Sequence, residues 1–512
     1  MVRRLTRMEE RRTLAVAAAV CVLGSALLAV SFGQDAGFDA KNYHWYAGYQ
    51  LLHGRIDVDM GPAQIQGWFN PLIHLPLWFA GRIAGPAAAC ALLGALHGLA
   101  PLLVFLLGCR MLRGRAECRV VTALAATAAL VGFVGPITLS GLGTSSGDPL
   151  IPFFVVGGLL ALPDDTNRKR LLLSGGLIGL AVGLKPTAGI YAVGLTFSWL
   201  LLPPTPGRRA LPWWLGGVAA GFALAAGPWM AFLLIRYGNP VFPLFNDVFQ
   251  SPWAQDFSYA EDRLLPRSTR EARLFWWYIA RGGTFGWEVP FADARLLLLG
   301  SLGIVTAARS AVGRSIPPFP RFVVVALLVA AVLWQTSSSV YRYLGAVEVL
   351  TPLLAATVFL GPRIRPLRLA VLLIVWIGIG LSVRVPHLQR IPFADHPSPY
   401  GVEFPEPIPP DAVVLIAGTD ALSYLVPEMP ETVRVLRLYS SLHTHTDALR
   451  TTGAIADILT IHEGPLYFLE GPNPTVGAEV LDLLGVRPTT CMWVKTRVDP
   501  EVTLCRLALD RD

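Results

Sequence analysis

The sequence has few charged residues and almost no lysine. Asp, Glu, Lys and Arg together make up 15% of its 512 residues, and lysine occurs only at positions 41, 169, 185 and 495. Hydrophobic residues make up 53%, and the mean hydropathy is +0.52. The apolar residues form long runs separated by short arginine-rich segments. This pattern excludes an ordinary soluble protein and predicts a polytopic α-helical membrane protein.

The sequence also lacks the motifs of nucleotide-driven chemistry. It contains neither a P-loop nor a GxGxxG sequence, so neither ATP-driven transport nor a Rossmann domain for nucleotide sugars has support. A formal GxSxG match occurs at residues 143–147. It lies in a small-residue turn between apolar runs rather than between a strand and a helix, so a serine nucleophile is not predicted.

About eleven apolar runs are predicted to form transmembrane helices. Each approaches the ~20 residues that a helix needs to cross the hydrocarbon core. The first run has no small-residue cleavage site, so we interpret it as a retained span rather than a signal peptide. The predicted spans are 14–32, 85–109, 120–139, 149–162, 171–184, 187–202, 211–235, 294–308, 322–337, 344–360 and 369–383.

Arginine placement predicts the orientation of these helices. Arginine clusters precede the first span and occupy every second loop after it, as cytoplasmic loops do. The N-terminus is therefore predicted to be cytoplasmic and the C-terminus extracytoplasmic. The net charge of +7 indicates topology and contact with membrane lipids rather than nucleic-acid binding. Arginine preference with abundant alanine, glycine and proline is typical of bacteria, so we expect a multi-pass protein of the inner (plasma) membrane.

The composition divides the chain into four segments. Residues 1–13 are predicted to be a cytoplasmic N-terminus, and 14–384 a transmembrane domain with a first outer loop (33–68) and a long outer loop (236–293). A proline-rich linker (385–410) precedes an extracytoplasmic α/β domain (411–512). In that domain the apolar runs 412–417 and 433–438 predict strands, and 449–459 or 477–484 predicts a helix.

Two cysteines, Cys491 and Cys505, lie in the predicted outer domain. In an oxidising periplasm they could form a disulfide, which would add up to about 3 kcal/mol to the free energy of unfolding. Two reduced, buried thiols are the alternative.

Asp39, in the first outer loop, is the candidate catalytic residue. It follows the first span by a few residues and precedes Tyr43 and further aromatic residues, which are typical of an interfacial helix. A carboxylate in that position could accept a proton from an acceptor hydroxyl. A solvated loop aspartate or a helix cap is the alternative.

Lys185 and Arg342 are candidate cations for binding a phosphate. Lys185 interrupts an apolar stretch, and ions at such a depth are costly to bury. Arg342 stands between Tyr341 and Tyr343 at the outer end of another span. The alternatives are a lysine that snorkels to the interface and a structural pair of Arg342 with Glu348, one or two turns deeper.

Further polar candidates lie at the outer ends of spans or in the long outer loop. Asp148 opens a span, Asn239 lies in a turn rich in glycine and proline, and a capping-box sequence at 268–271 opens a helix. Structural packing is the alternative for the turn and for the helix. We predict that a phosphate is bound by Lys185, Arg342, Arg270 and Arg273, and that Asp148, Tyr43, Asn239, Tyr343 and Glu348 bind substrate.

In their order along the chain these features resemble the GT-C superfamily of membrane glycosyltransferases, which use polyprenyl-phosphate sugars. The resemblance covers residues 14–383. It rests on the Asp39 loop with its two juxtamembrane segments (40–53 and 68–83), Asp148, Gly183-Leu184-Lys185-Pro186 and Gly238-Asn239-Pro240. It implies that Asp39 is the catalytic base. Lys41 stands where a second acid would be expected, so a requirement for a divalent metal stays open, and no other cofactor is predicted.

The resemblance implies inverting transfer of a sugar from polyprenyl phosphate to a hydroxyl of a glycan, lipid or protein on the outer face of the membrane. A transporter or flippase of lipid-linked sugars would need a similar cationic cavity, and a polysaccharide polymerase or ligase is a nearer enzymatic alternative. The apolar runs show no inverted repeat that would favour a transporter.

Overall fold

Helices dominate the chain up to residue 382. The computed structural model describes residues 7–256, 259, 262–313, 316–361, 364–396, 398–441, 450–473, 481–482 and 484–509. Within them, a helix lies at each of the eleven predicted runs, because an apolar segment must satisfy its backbone hydrogen bonds internally.

The first part of this domain contains the helices α1 (Arg7–Ala18), α2 (Gly24–Phe32), α3 (Trp45–Leu52), α4 (Leu75–His97), α5 (Leu99–Leu112), α6 (Cys118–Phe133), α7 (Pro136–Ser140), α8 (Ile151–Ala161) and α9 (Arg168–Leu184). The second part contains α10 (Gly189–Leu201), α11 (Leu211–Tyr237), α12 (Asn246–Phe249), α13 (Thr269–Arg281), α14 (Arg295–Ala311), α15 (Pro318–Ser337), α16 (Gly345–Leu360) and α17 (Pro366–Ser382).

Among the described residues, five helical segments are long and apolar enough to cross a membrane. They are Met8–Phe32, Pro71–Leu112, Arg208–Tyr237, Pro318–Ser337 and Tyr341–Leu360. Shorter apolar helices are Cys118–Phe133, Asp148–Ala161, Pro186–Leu201 and Pro366–Ser382. The number of spans and their orientation stay predictions.

Apolar side chains cover much of the outer surface of these helices. Leu27 is 74% exposed, Leu224 71% and Leu381 83%. A water-soluble monomer rarely exposes so much large apolar surface, so this belt is typical of contact with lipid. Helix α16 is the opposite case, because nearly all of its residues are buried inside the protein.

Glycine residues allow α9 and α11 to pack at close range. A Cβ atom at Gly175 would lie 2.0 Å from the carbonyl oxygen of Trp214, and one at Gly179 would lie 2.1 Å from that of Val218. Glycines spaced by four lie on one face of α9, where the absence of side chains permits this close contact.

The C-terminal domain contains a five-stranded mixed sheet in the order β4-β3-β5-β7-β6. Its strands are β3 (Val413–Ile416), β4 (Arg434–Arg437), β5 (Leu466–Glu470), β6 (Val486–Trp493) and β7 (Thr503–Leu509), with a helix α18 (Arg450–Ile461) before β5. β3 is parallel to β4 and β5, and β7 is antiparallel to β5 and β6. The α/β class and the first two strands agree with the sequence prediction, whereas most of 477–484 lies outside the described residues.

This domain packs directly on the first outer loop. Strand β1 (Gln34–Asp35) of the loop pairs antiparallel with strand β2 (Arg390–Ile391) of the linker. Met60 forms a parallel bridge with Leu436, so the loop adds a short edge to β4. The buried Arg55 donates to Asp59 in the loop and, at 2.5 Å, to the carbonyl of Val433 in the domain. The loop and the domain therefore form one packed unit.

Candidate active site

Four ionic side chains from distant parts of the chain meet beside the first outer loop. We call Asp39, Asp148, Lys185 and Arg342 the ion cluster. Each lies where a helix starts or ends, and the local sequence explains two of these breaks. Pro149 and Pro186 follow Asp148 and Lys185, and a residue before proline is disfavoured in a helical conformation.

The turns that carry these residues place their side chains at helix ends. Asp39 is the N-cap residue of a π-helical turn, Asp148 is the first residue of a 3₁₀ turn, Lys185 is the C-cap residue of α9, and Arg342 lies in a 3₁₀ turn before α16. The turns are Ala40–His44, Asp148–Leu150, Pro186–Ala188 and Tyr341–Leu344.

Charges of opposite sign alternate through the ion cluster. Arg342 Nη1 donates to Asp39 Oδ2 at 2.7 Å, and Arg342 Nε lies 3.7 Å from Asp148 Oδ2. Lys185 Nζ is paired with Asp148 Oδ1 and donates to the carbonyl of Ser146 at 3.1 Å. The side chains of Asp39 and Arg342 are 26% and 28% exposed, whereas that of Asp148 is 4% exposed. Asp39 and Arg342 are therefore accessible to solvent, whereas Asp148 is buried.

Tyrosine rings flank the ion cluster. Lys185 Nζ lies 5.5 Å and the guanidinium carbon of Arg342 5.9 Å from the ring centroid of Tyr343, within the range of cation–π attraction. Tyr43, in the outer loop, is 8% exposed. Burial and then the Asp39 carboxylate raise the pKa of Tyr43 well above its usual value. The structure thus brings together the predicted residues Asp39, Tyr43, Asp148, Lys185, Arg342 and Tyr343.

A series of hydrogen bonds between buried side chains, which the sequence did not predict, supports the turn after Asp39. Ser145 donates from Oγ to Asp35 Oδ2 at 2.9 Å, so its single proton is used there and His44 Nδ1 must donate to Ser145 Oγ, at 2.6 Å. His44 also stacks on His74 with centroids 4.3 Å apart. The acid is hydrogen-bonded to the serine rather than to the histidine, so the arrangement does not activate a nucleophile.

Glu348 lies at another centre. Its carboxylate accepts hydrogen bonds from the backbone amides of Ile137 and Thr138, at 2.9 and 2.8 Å, and from the Thr138 hydroxyl at 2.6 Å. These contacts fix the start of α7, and Glu348 is 1% exposed. The structure does not bring Glu348 into the ion cluster.

Three other predicted ligands also lie away from the ion cluster. The buried Asn239 uses its amide within its own turn, because it donates to Leu244 O and accepts from Val241 N, both at 2.9 Å. Arg270 and Arg273 are exposed residues of the amphipathic helix α13. Their helix has the expected cap, since Ser268 Oγ accepts from the amide of Glu271.

The sequence left open whether Cys491 and Cys505 form a disulfide and whether the site holds a divalent metal. Cys491 and Cys505 lie opposite each other on β6 and β7 and are joined by a disulfide. In the described part of the chain, no group of three His, Cys, Asp or Glu side chains is placed to hold a metal ion. Asp39 and Asp148 are engaged with Arg342 and Lys185, so this donor set does not fit a divalent cation.

Comparison with known proteins supplies a structural neighbour. No protein-family model matches the chain, and no curated protein sequence matches it. Among solved structures, a crystal structure of ArnT from Cupriavidus metallidurans bound to undecaprenyl phosphate aligns with a TM-score of 0.51. The alignment covers 98% of each chain at 12% sequence identity. The two chains share a fold.

This likeness confirms the predicted fold class, a domain of apolar helices followed by a small C-terminal α/β domain. The alignment extends over nearly the whole of both chains, so it includes the C-terminal domain as well as the helices. At this identity the likeness concerns the fold. The roles of individual residues stay predictions.

Proposed function

We propose that the chain is an inverting membrane glycosyltransferase that uses a polyprenyl-phosphate sugar. The ion cluster carries this proposal, because it places an accessible carboxylate next to two cations in a fold shared with a protein that was crystallised with undecaprenyl phosphate. On the predicted topology the reaction takes place on the outer face of the membrane.

The donor phosphate would bind to Arg342 and Lys185. The Arg342 side chain is 28% exposed, and among the described residues it donates only from Nη1, to Asp39, so the guanidinium group retains donors for an incoming anion. A phosphate oxygen accepts charge-assisted hydrogen bonds from a guanidinium group readily. Asp148 keeps Lys185 neutralised and in place, while the phosphate competes with Asp39 for Arg342.

Displacement of Asp39 from Arg342 would then prepare the base. The acceptor hydroxyl transfers its proton to Asp39, its oxygen bonds to the anomeric carbon, and the bond from that carbon to the phosphate oxygen breaks with both electrons on the phosphate. Arg342 and Lys185 stabilise the charge that develops on the leaving group. Because phosphate leaves without protonation, one carboxylate suffices, unlike the acid pair of a glycoside hydrolase.

Lipid binding is the first measurement that tests this proposal. Native mass spectrometry of the purified full chain would detect undecaprenyl phosphate bound to the wild type, and weaker binding to Lys185→Ala and Arg342→Ala. Each substitution removes one cation, and a hydrogen bond to a charged group contributes about 1.5–3 kcal/mol. A loss of about tenfold or more in affinity is therefore expected from either change.

Lys495→Ala is the matched control, because Lys495 forms an exposed ion pair with Glu403 in the C-terminal domain. It should bind the lipid as the wild type does. Arg270→Ala and Arg273→Ala test the two predicted ligands that lie outside the ion cluster.

A wild type that binds no polyprenyl phosphate would overturn the proposal. Release of the lipid sugar on the other side of a vesicle without bond cleavage would instead favour the flippase alternative.

A further inference from the structure

A cavity of about 180 Å³ lies where the first outer loop, the end of α11 and the C-terminal domain meet. The loop supplies Gln50 and Trp68, α11 supplies Tyr237, and the domain supplies Arg434 and Ala454. Sites for drug-sized ligands have volumes of about 300–1,000 Å³. This cavity therefore suits one small unit of a larger ligand, and it is separate from the ion cluster.

Aromatic rings form one wall of this loop–domain cavity. The ring centroids of Tyr237 and Phe242 are 4.4 Å apart, those of Trp68 and Phe242 5.3 Å, and those of Tyr237 and Trp253 6.0 Å. These rings make that wall of the cavity apolar, and an apolar aromatic wall is complementary to the C–H groups of a sugar ring.

Gln50 supplies a polar group to the same cavity. Its residue is 7% exposed, and its side chain makes no hydrogen bond to any of the residues that the structure describes. The amide is therefore available to a ligand that enters the cavity. The amide has both an acceptor and two donors, which match the hydroxyl groups at the edge of a sugar ring.

The charges around the cavity leave an excess of positive charge. Asp57 pairs with Arg236 at 3.2 Å, and the carboxylate of Asp59 is engaged by Arg55. Arg434 lines the cavity, is exposed, and forms no ion pair within the described ranges. An anionic substituent on the ligand would therefore be attracted to Arg434.

We infer that the loop–domain cavity binds a sugar unit that carries an anionic group, as part of the acceptor. The assignment of this sugar unit to the acceptor rests on the proposed function. Asp39 immediately precedes the helical segment that continues through α3 to Gln50, a distance of about 16 Å at 1.5 Å per residue. The cavity and the candidate base therefore lie at opposite ends of one helical segment.

Saturation-transfer difference NMR on the full-length protein tests this inference with two probes, methyl glucoside and methyl glucuronide, which differ only in the carboxylate. We expect both to receive saturation from the wild type, with the glucuronide binding more tightly. Gln50→Leu should weaken both by about tenfold, the loss expected for one or two hydrogen bonds. Ala454→Trp should abolish binding because the indole fills the cavity.

Thr460→Trp is the control for Ala454→Trp, since Thr460 is an exposed residue of the same helix. It should leave the NMR signals unchanged, and Arg434→Gln should remove only the preference for the glucuronide. The inference is overturned if neither probe binds the wild type, if Ala454→Trp has no effect, or if the glucoside binds as tightly as the glucuronide.

Undecaprenyl phosphate is titrated separately. Failure to bind it, with sugar binding intact, would overturn the proposed function and leave the cavity as a sugar site.

Discussion

Asp39 and Arg342 are 303 residues apart in the chain, and their side chains share a hydrogen bond of 2.7 Å. Arg342 occupies the Asp39 carboxylate until another anion takes the place of that carboxylate on the guanidinium group. In the proposed reaction the donor phosphate is that anion, so binding of the donor and activation of Asp39 are one event. The acid and the cation then have separable roles, which substitutions can distinguish.

Asp39→Asn should abolish sugar transfer while lipid binding persists. The amide cannot accept the acceptor proton, and loss of general base catalysis costs about 10²–10⁴-fold in rate. The substitution also removes a negative charge beside Arg342, so undecaprenyl phosphate should bind at least as tightly as to the wild type. Rate and affinity are measured on the same preparation. Asp247→Asn, at an exposed aspartate of the long outer loop, is the control, and a parallel loss of lipid binding in Asp39→Asn would contradict the assignment.

His44 should make the stability of the outer loop depend on pH. Burial, and then the neighbouring His74, Lys185 and Arg342, lower the pKa of His44 well below its usual range. The unfolded chain takes up a proton near pH 6.5, whereas folded His44 stays neutral. The free energy of unfolding therefore falls as the pH falls below about 6.5, by up to about 1.4 kcal/mol per pH unit.

The thermal midpoint of the purified protein, measured from pH 7.5 to pH 5.5, checks this prediction. The midpoint of the wild type should fall across that range, and His44→Gln should show a smaller decrease because glutamine does not titrate. His387→Gln, at an exposed histidine of the linker, should leave the slope unchanged. Equal slopes for the wild type and His44→Gln would contradict the assignment.

At the residue scale, the sequence predicted the members of the ion cluster but not their pairing. Lys185 and Asp148 were detectable because charges are rare beside apolar runs, and prolines follow both. That Arg342 contacts Asp39 depends on which helices are neighbours, which periodicity does not reveal. Glu348 shows that a residue detected in the sequence can have a role that the sequence does not reveal. A buried acid can serve backbone amides of another segment, here Ile137 and Thr138, and sequence alone does not distinguish that role from ligand binding.

At the scale of helices and strands, hydrophobic run length predicted the helices well and their breaks less well. Each apolar run became a helix, because a long apolar segment in lipid has few alternatives. The π-helical turn Ala40–His44 and the 3₁₀ turn Tyr341–Leu344 were not predicted. They carry or adjoin Asp39 and Arg342, so the irregular segments that pattern analysis misses are those that build the candidate site.

Gly179→Ala should destabilise the contact between α9 and α11. The added Cβ would meet Val218 O at 2.1 Å and Phe222 N at 2.7 Å, so the helices must separate, at a cost of about 1–3 kcal/mol. We expect a lower thermal midpoint. Gly189→Ala is the matched control, since no atom lies within 4 Å of its added Cβ, and it should be neutral or stabilising. An unchanged midpoint for Gly179→Ala would show that α9 and α11 adjust without cost.

At the scale of the whole molecule, the C-terminal domain holds the loop that carries Asp39. The sequence predicted an α/β domain after a proline-rich linker, but not its position, because the contacts join residues hundreds of positions apart. Ser423 Oγ donates to the carbonyl of Lys41 at 3.1 Å. Arg437, which is completely buried, donates to the carbonyls of Pro62 and Gly418. The domain thus contacts the backbone of the loop that carries Asp39.

The ion pair between Lys41 and Asp499 is the most direct test of that connection. Lys41 lies two residues after Asp39, and its Nζ is 2.6 Å from Asp499 Oδ1, with the two side chains 11% and 14% exposed. Lys41→Met and Asp499→Asn should each slow sugar transfer, because the turn after Asp39 loses its tie to the domain. A double-mutant cycle on the transfer rate should give a coupling energy of about 1–3 kcal/mol.

The exposed pair Lys495–Glu403, with side chains 74% and 51% exposed, provides the matched cycle. It should show no measurable coupling, because exposed ion pairs are screened by solvent and this one lies on the domain surface. If the effects of Lys41→Met and Asp499→Asn were additive, the pair would not transmit the position of the domain to Asp39. The contacts of Ser423 and Arg437 with the loop backbone would then be the elements that align the candidate base.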